Sequence, residues 1–269
     1  MSTPKVEGVF ITNQLDGGSL LVSWGAPSVT VLKYKVYRAL SMSGTYTLIK
    51  DDVHVLFYKD TTAYQWQRTD YWYKVSAVDA DGEGPLSDPV VNFAFAKNSS
   101  SGMTRLGDAG SMNHARIMYE IVRRNELLLR RGGEWVDVWI RKTAGEWCTS
   151  CYVPERDQPS YATCPVCFGT GFTGGYEKYA DVLMKVEPYK DQRQLVKIGN
   201  KWMATPRSWV TTFPLLRTDD VVVRKFNNRR YIVNGVDIKL SRGIVTRQEF
   251  DMLETTLAAN QQIFLIGVT

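Results

Sequence analysis

With 269 residues the chain is long enough for two ordinary domains, and 44% hydrophobic with 23% charged residues is a globular composition, not a disordered or fibrous one. No apolar run approaches the ~20 residues that span a bilayer, so no membrane partner is expected, and Met1-Ser-Thr-Pro-Lys5 lacks the apolar core of a secretion signal, which places synthesis in the cytoplasm. The net charge of +5 is unevenly placed: residues 1–97 hold 9 Lys/Arg against 10 Asp/Glu, leaving 24 against 18 for the remainder, so only the second part offers a basic surface.

Over the first ninety-odd residues, short alternating strands recur between turn residues, the pattern of a β-sandwich. Leu20, Val22 and Trp24 share one face of a strand that ends at Gly25-Ala-Pro27, and Leu32, Tyr34 and Val36 alternate in the next. Tyr71, Tyr73, Val75 and Ala77 form a third stripe. Trp24, Tyr34-Lys-Val-Tyr-Arg38, Phe57-Tyr-Lys-Asp-Thr61 and the Tyr-x-Tyr-x-Val-x-Ala run into Asp79-Ala-Asp-Gly82 resemble a fibronectin type III domain across nearly all of residues 4–96. The resemblance implies a β-sandwich with Tyr71 as its corner tyrosine. Such modules serve as spacers or decorations, and the fold alone assigns no chemistry. Tyr64, Trp66 and Trp72 offer rings on which a host-surface glycan could stack, against the plainer reading that they cover the sandwich.

Residues 98–112 are rich in Ser and Gly and read as a flexible linker, which predicts a hinge between two domains, 1–97 and 113–269. A long amphipathic helix follows, with Ala115, Met118, Val122 and Leu129 flanked by Ile117, Ile121 and Leu128, and Gly132-Gly133 ends it. Arg116, Arg123, Arg124, Arg130 and Arg131 lie among these residues without interleaved aromatics, so they read as a solvated face. Nucleic acid is not expected as a partner beyond incidental contact with packaged DNA.

All four cysteines fall in two identical pairs, Cys148-Thr-Ser-Cys151 and Cys164-Pro-Val-Cys167. Two thiolates on one tight turn take two corners of a tetrahedron, and the intervening residues allow the second turn to fold back, so the spacing predicts one structural zinc per chain. A pair of disulfides or four free thiols is the competing reading. Four cysteines close the shell, leaving no position for a reacting water. The ribbon, residues 146–176, is an insertion between the strands Glu134–Arg141 and Tyr179–Val186.

Further strands are predicted at 195–198, 209–213, 221–226, 230–233, 237–240 and 263–266, with a tight Asn227-Asn228-Arg229 hairpin and one short helix at Thr246–Leu253. The fold class is therefore mainly β: an N-terminal sandwich, then a small β-barrel with one long helix and an inserted zinc ribbon. No catalytic constellation is found. The chain has two histidines, His54 and His114, neither beyond residue 114, and Asp219-Asp220 reads as a turn former. An enzyme is not expected. Cys164-Pro-Val-Cys-Phe-Gly-Thr-Gly171 matches one repeat of the cysteine-rich domain of J-domain co-chaperones, but Cys148-Thr-Ser-Cys-Tyr-Val-Pro154 departs from it, which rejects that family.

Residues 113–269 resemble virion proteins at the head-tail junction of tailed bacteriophages. The motifs are Arg124-Asn-Glu-Leu-Leu-Leu129, Gly133-Glu-Trp-Val-Asp-Val-Trp-Ile-Arg141, the Cys-x-x-Cys ribbon ending in Gly171-Phe-Thr-Gly-Gly-Tyr176, Leu216-Arg-Thr-Asp-Asp-Val-Val-Val223, Arg230-Tyr-Ile-Val233 and Thr246-Arg-Gln-Glu-Phe250. The resemblance implies a structural protein of the virion that forms a homo-oligomeric ring at the neck, bound to other neck or tail proteins, with the fibronectin-like module facing outward. A baseplate or tail position, or an attachment platform with a glycan-binding module, is the alternative.

Overall fold

In the computed structural model the alternating stripes close into two β structures joined by one helix. The structure describes residues 3–14, 18–63, 70–92, 109–153, 158–159, 164–186, 190–196, 199–205, 207–241, 244–255 and 266. The predicted linker at 98–112 therefore lies largely outside the described residues, as do Tyr64, Trp66 and most of the predicted strand at 263–266.

The first part holds β1 (Phe10–Asn13), β2 (Leu20–Ser23), β3 (Lys33–Ala39), β4 (Thr47–Val53), β5 (Phe57–Asp60), β6 (Tyr71–Asp79), β7 (Gly82–Glu83) and β8 (Val90–Asn92). One sheet runs β1-β2-β5 and the other β4-β3-β6-β7, with β8 also paired to β6. This is a fibronectin type III-like sandwich. Leu20, Val22, Trp24, Tyr34, Val36, Tyr73, Val75 and Ala77 are all buried, so these predicted faces are the core faces, whereas Leu32 precedes β3 and is exposed. The edge of Trp24 meets Tyr34 at 5.4 Å between centroids. At the centre lies Asp60, which accepts the Tyr73 hydroxyl at 2.6 Å and the Arg38 guanidinium at 2.8 Å. Burial opposes its charge, but those donors and Thr62 outweigh it and hold the carboxyl below its ordinary pKa.

The second part opens with α1 (Ala109–Gly132) and continues through β9 (Glu134–Arg141), β10 (Tyr152–Val153), β11 (Gln158–Pro159), β12 (Tyr176–Val186), β13 (Lys190–Val196), β14 (Gly199–Thr205), β15 (Arg207–Val210), β16 (Val221–Arg224), β17 (Arg230–Ser241) and β18 (Ile244–Glu254). Six of these strands close a barrel in the order β12-β15-β18-β17-β16-β9. Val136, Val138 and Ile140 of β9 alternate into it. The helix buries Met118, Val122 and Leu129, and Asn125 donates from Nδ2 to the Thr246 carbonyl at 3.2 Å. A Cβ on Gly133 would lie 2.6 Å from the Leu129 carbonyl and 3.0 Å from that of Met184, so the helix can turn into β9 this tightly only through glycine. The hairpin of β13 and β14 forms a two-stranded sheet of its own outside the barrel.

Two expectations are corrected. Residues 246–253 are not a helix but part of β18: Thr246, Gln248, Phe250 and Met252 alternate inward, and the polar members conceal the period of two. Gln248 is fully buried because it is satisfied, donating from Nε2 to the carbonyls of Thr211 (3.1 Å) and Pro214 (2.8 Å) and accepting from Leu216 N at 2.9 Å. The segments 230–233 and 237–240 are one strand, β17, bulged between Val233 and Gly235.

Sandwich and barrel also touch directly. The sandwich and barrel share one continuous hydrophobic core. In β2 the consecutive residues Leu20, Leu21 and Val22 are all buried, which a sandwich with one solvated outer face would not show. Phe57 of β5 packs against Tyr179 of β12 and Phe213 at centroid distances of 5.7 and 6.0 Å. Around this apolar centre Thr143 N donates to the His54 carbonyl (2.9 Å) and Gly145 N to that of Val31 (3.1 Å). Thr212 Oγ1 donates to Gln14 Oε1 at 2.9 Å, and the Arg217 guanidinium to the Trp24 carbonyl at 3.3 Å. The buried Phe57 and the half-buried Tyr179 and Phe213, with these hydrogen bonds around them, join the two parts.

Below this interface the Asp219-Asp220 pair shapes a turn, as expected. Asp220 accepts from the backbone N–H of Arg141 (2.8 Å) and Arg217 (2.7 Å). Burial dominates and pushes its pKa up to about 7, although those donors and the Arg217 charge pull the other way. An unfolded Asp titrates near ~3.9, so between about pH 4 and 7 the folded chain binds the extra proton, and stability falls as pH rises through that window. The unfolding free energy from denaturant titration should therefore drop from pH 5 to pH 8 in the wild type, by a total on the order of a few kcal/mol, and Asp220→Asn should flatten this dependence; an unchanged slope in the variant would refute the assignment.

Candidate metal centre

The ribbon leaves the barrel after β9 and returns at β12, whose pairing is re-established at once by Arg141 opposite Tyr176. Its two cysteine turns are built alike. Cys151 N and Tyr152 N fold back on the Cys148 carbonyl, and Phe168 N folds back on that of Cys164 at 2.9 Å. Each turn thereby aims two thiols at a common point. The second continues through Phe168 and Gly169 at positive φ (53° and 80°), and Thr170 N and Oγ1 both donate to the Cys167 carbonyl. Cys148 N, donating to Gly171 O at 2.8 Å, ties the turns together. A Cβ on Gly175 would lie 2.4 Å from the Cys167 carbonyl, so this close approach of chain to cysteine turn requires glycine.

The four thiols are buried, and their Sγ atoms all lie within 4.8 Å of one another. Cys148 and Cys164 are 3.7 Å apart at sulfur and Cys151 and Cys167 3.4 Å, well beyond the ~2.05 Å of a disulfide. A metal–sulfur bond of about 2.3 Å places tetrahedral sulfurs ~3.8 Å apart, close to these separations. The donor set thus fits a metal ion. Burial raises the Cys151 thiol and, partly offset by the N–H groups of Gly171 and Gly169, that of Cys167. At Cys164 burial is outweighed by the N–H groups of Cys167 and Val166, which bring the thiol down to about 7. Clustered thiolates repel one another in a low dielectric, and a bound cation is what removes the conflict.

Aromatic rings fasten the ribbon on both sides. Trp147 stacks on Tyr152 (4.5 Å, 13° between planes) and on Phe172 (5.2 Å, 14°), closing the mouth of the insertion. Phe168 packs beside Tyr176 in a cluster with Val221, Val223 and Ile266, which seats the second cysteine turn on the barrel. The cysteines were legible from their spacing; Trp147 carries no comparable signal, since only the folded contacts distinguish it from other Trp residues. Of the three aromatics considered for a glycan on the sandwich, Trp72 alone lies among the described residues, half-buried in β6.

No protein-family model and no curated protein matches the sequence. Among solved structures the chain is similar to a Fn3-like protein from Clostridium thermocellum, 25% identical with a TM-score of 0.32, covering 34% of this chain and 92% of that one. It is likewise similar to the sixth fibronectin type III domain of human fibronectin type III domain containing protein 3 (18%, TM-score 0.32, 38% and 93% covered). A third is the fn3 domain of human collagen alpha-1(XX) chain (20%, TM-score 0.32, 37% and 92% covered). These likenesses concern the fold of about a third of the chain.

Binding by four thiolates contributes on the order of 10 kcal/mol, comparable to the stability of a whole domain. Cys148→Ser or Cys167→Ser should abolish stoichiometric metal by elemental analysis and expose the ribbon to amide hydrogen exchange. The exchange of Val136, Val138 and Val233 in the barrel should stay slow, because β9 and β12 pair without the insertion. Wild-type protein with well under one metal ion per chain, or barrel strands that melt together with the ribbon, would contradict this.

Proposed function

We propose that the chain is a structural virion protein of a tailed bacteriophage, in which the barrel assembles as a homo-oligomeric ring at the head-tail junction and the fibronectin-like sandwich stands outward as a decoration. The observation that carries this reading is a second apolar row on α1. Met118, Val122 and Leu129 are spent on the barrel, yet Ile117, Ile121 and Leu128 remain 54%, 37% and 58% exposed on an adjacent face. A helix already anchored on one side that offers a further apolar stripe is suited to a protein partner. A head-to-tail contact of this kind generates a closed ring when its rotation closes. The placement in the neck rests on the resemblance of residues 113–269 to head-tail junction proteins, and neighbouring neck or tail proteins are its expected partners.

The ion assigned to the four cysteines in this reading is zinc. Four thiolates are a soft donor set that suits its tetrahedral preference and leave no open position, so the metal holds the ribbon and takes no part in a reaction. No catalytic role is assigned to any residue.

The helix stripe gives the test. Sedimentation of the purified full chain should show an oligomer that Ile121→Glu with Leu128→Glu converts to a folded monomer, and peptides of the chain should be found by mass spectrometry in purified particles. A wild type that stays monomeric at high concentration would refute the ring, and absence from particles would refute the virion assignment. Labelling the N-terminus on imaged particles separates the neck from a baseplate position.

A further inference from the structure

The apolar stripe of α1 lies on one flank of its buried row; on the other flank Glu126 and Arg130 face a cavity of about 300 Å³. At about 100° per residue these two positions are roughly opposite Ile121 and Leu128. Trp135 of β9, its register partner Leu183 of β12 and Phe213 line the cavity as well. The rim is completed by Asp181, held at φ 61° in the bulge where β12 slips its register against β9.

Three features of this cavity point to one ligand chemistry. Trp135 is 54% exposed although it lines the cavity, so its indole offers an apolar face to an incoming molecule. Polar groups stand ready beside it. Glu126 and Arg130 are one turn apart, a spacing at which such residues pair readily, as Glu120 and Arg123 do at 3.0 Å. Yet Glu126 and Arg130 make no ion pair and no side-chain hydrogen bond among the described residues. Finally, the charges cancel: Arg130 offsets Glu126, and Asp181 is paired with Lys225. A neutral lining gives an ionic ligand no electrostatic reward for the water it must shed.

A molecule matching all three is uncharged, carries an apolar face and presents several hydroxyls around its edge. We propose that this cavity is a binding site for a pyranose ring of a neutral glycan, stacked by its C–H face on Trp135, with its hydroxyls donating to Glu126 and accepting from Arg130. The volume is at the lower limit for small-molecule sites, which suits one ring at a chain end better than an extended polysaccharide. The site is independent of the ring reading, since a contact through Ile121 and Leu128 uses the other flank of the helix and leaves the mouth open.

Saturation-transfer NMR and titration calorimetry on the full chain, with glucose, galactose, mannose, N-acetylglucosamine and their trisaccharides, test the proposal. At least one of these should bind, with transfer concentrated on one face of a terminal ring. Trp135→Ala should weaken it at least tenfold and Glu126→Gln or Arg130→Gln by a smaller factor, without change in melting temperature. Phe226→Ala, which removes a ring 69% exposed at the turn between β16 and β17, should bind as the wild type does. No transfer from any sugar in the panel would overturn the proposal. So would binding that survives Trp135→Ala, binding lost instead with Trp72→Ala, or a preference for glucuronate over glucose.

Discussion

The pairing of β9 with β12 is the contact on which the other features hang. The helix enters it through Gly133, which must approach Met184 of β12 closely. The four-cysteine ribbon is the excursion between its two strands, closed at the base by Arg141 opposite Tyr176. The bulge between Tyr179 and Val182 then serves two purposes. It places Tyr179 against Phe57 and Phe213, where sandwich meets barrel, and it sets Asp181 at the rim of the cavity beside Trp135. An insertion at a place where two strands already pair can be elaborated at little cost to the barrel, because the closing entropy is met by the ladder on either side.

A metal held by the four cysteines would share with the aromatic contacts the work of holding the ribbon. The thiolates fix its interior, where a segment this short buries too little apolar surface to order itself. Trp147, Phe172 and Phe168 fix its attitude on the barrel. The shared core of sandwich and barrel acts in the same direction at larger scale, since a sandwich anchored through Phe57, Gln14 and the Trp24 carbonyl stands at a set angle. In the proposed ring, that rigidity would give the assembly a defined outer surface.

Much of this was legible in the residues. The spacing of Cys148, Cys151, Cys164 and Cys167 states its chemistry locally, and the stripes of Leu20, Val22, Trp24 and of Tyr71 to Ala77 have the period of the strands they form. What could not be read are consequences of contacts between distant segments. Gln248 looks like a surface residue until its three backbone partners are in place, and with it the strand β18 passed for a helix. Leu21, Phe57 and Phe213 are ordinary apolar residues in sequence, and only the folded chain brings them into one shared core. Likewise Trp135, Glu126 and Arg130 carry no motif; the bulge of β12 and the helix flank bring them together.

Electron cryomicroscopy of the concentrated full-length protein tests the central claim most directly, because it reads assembly and domain attitude at once. The account predicts closed rings joined through the face of α1 that holds Ile117, Ile121 and Leu128, with density for the sandwich as well ordered as that of the barrel under the ring symmetry. Single particles of one chain, or rings from which the sandwich averages away, would contradict it.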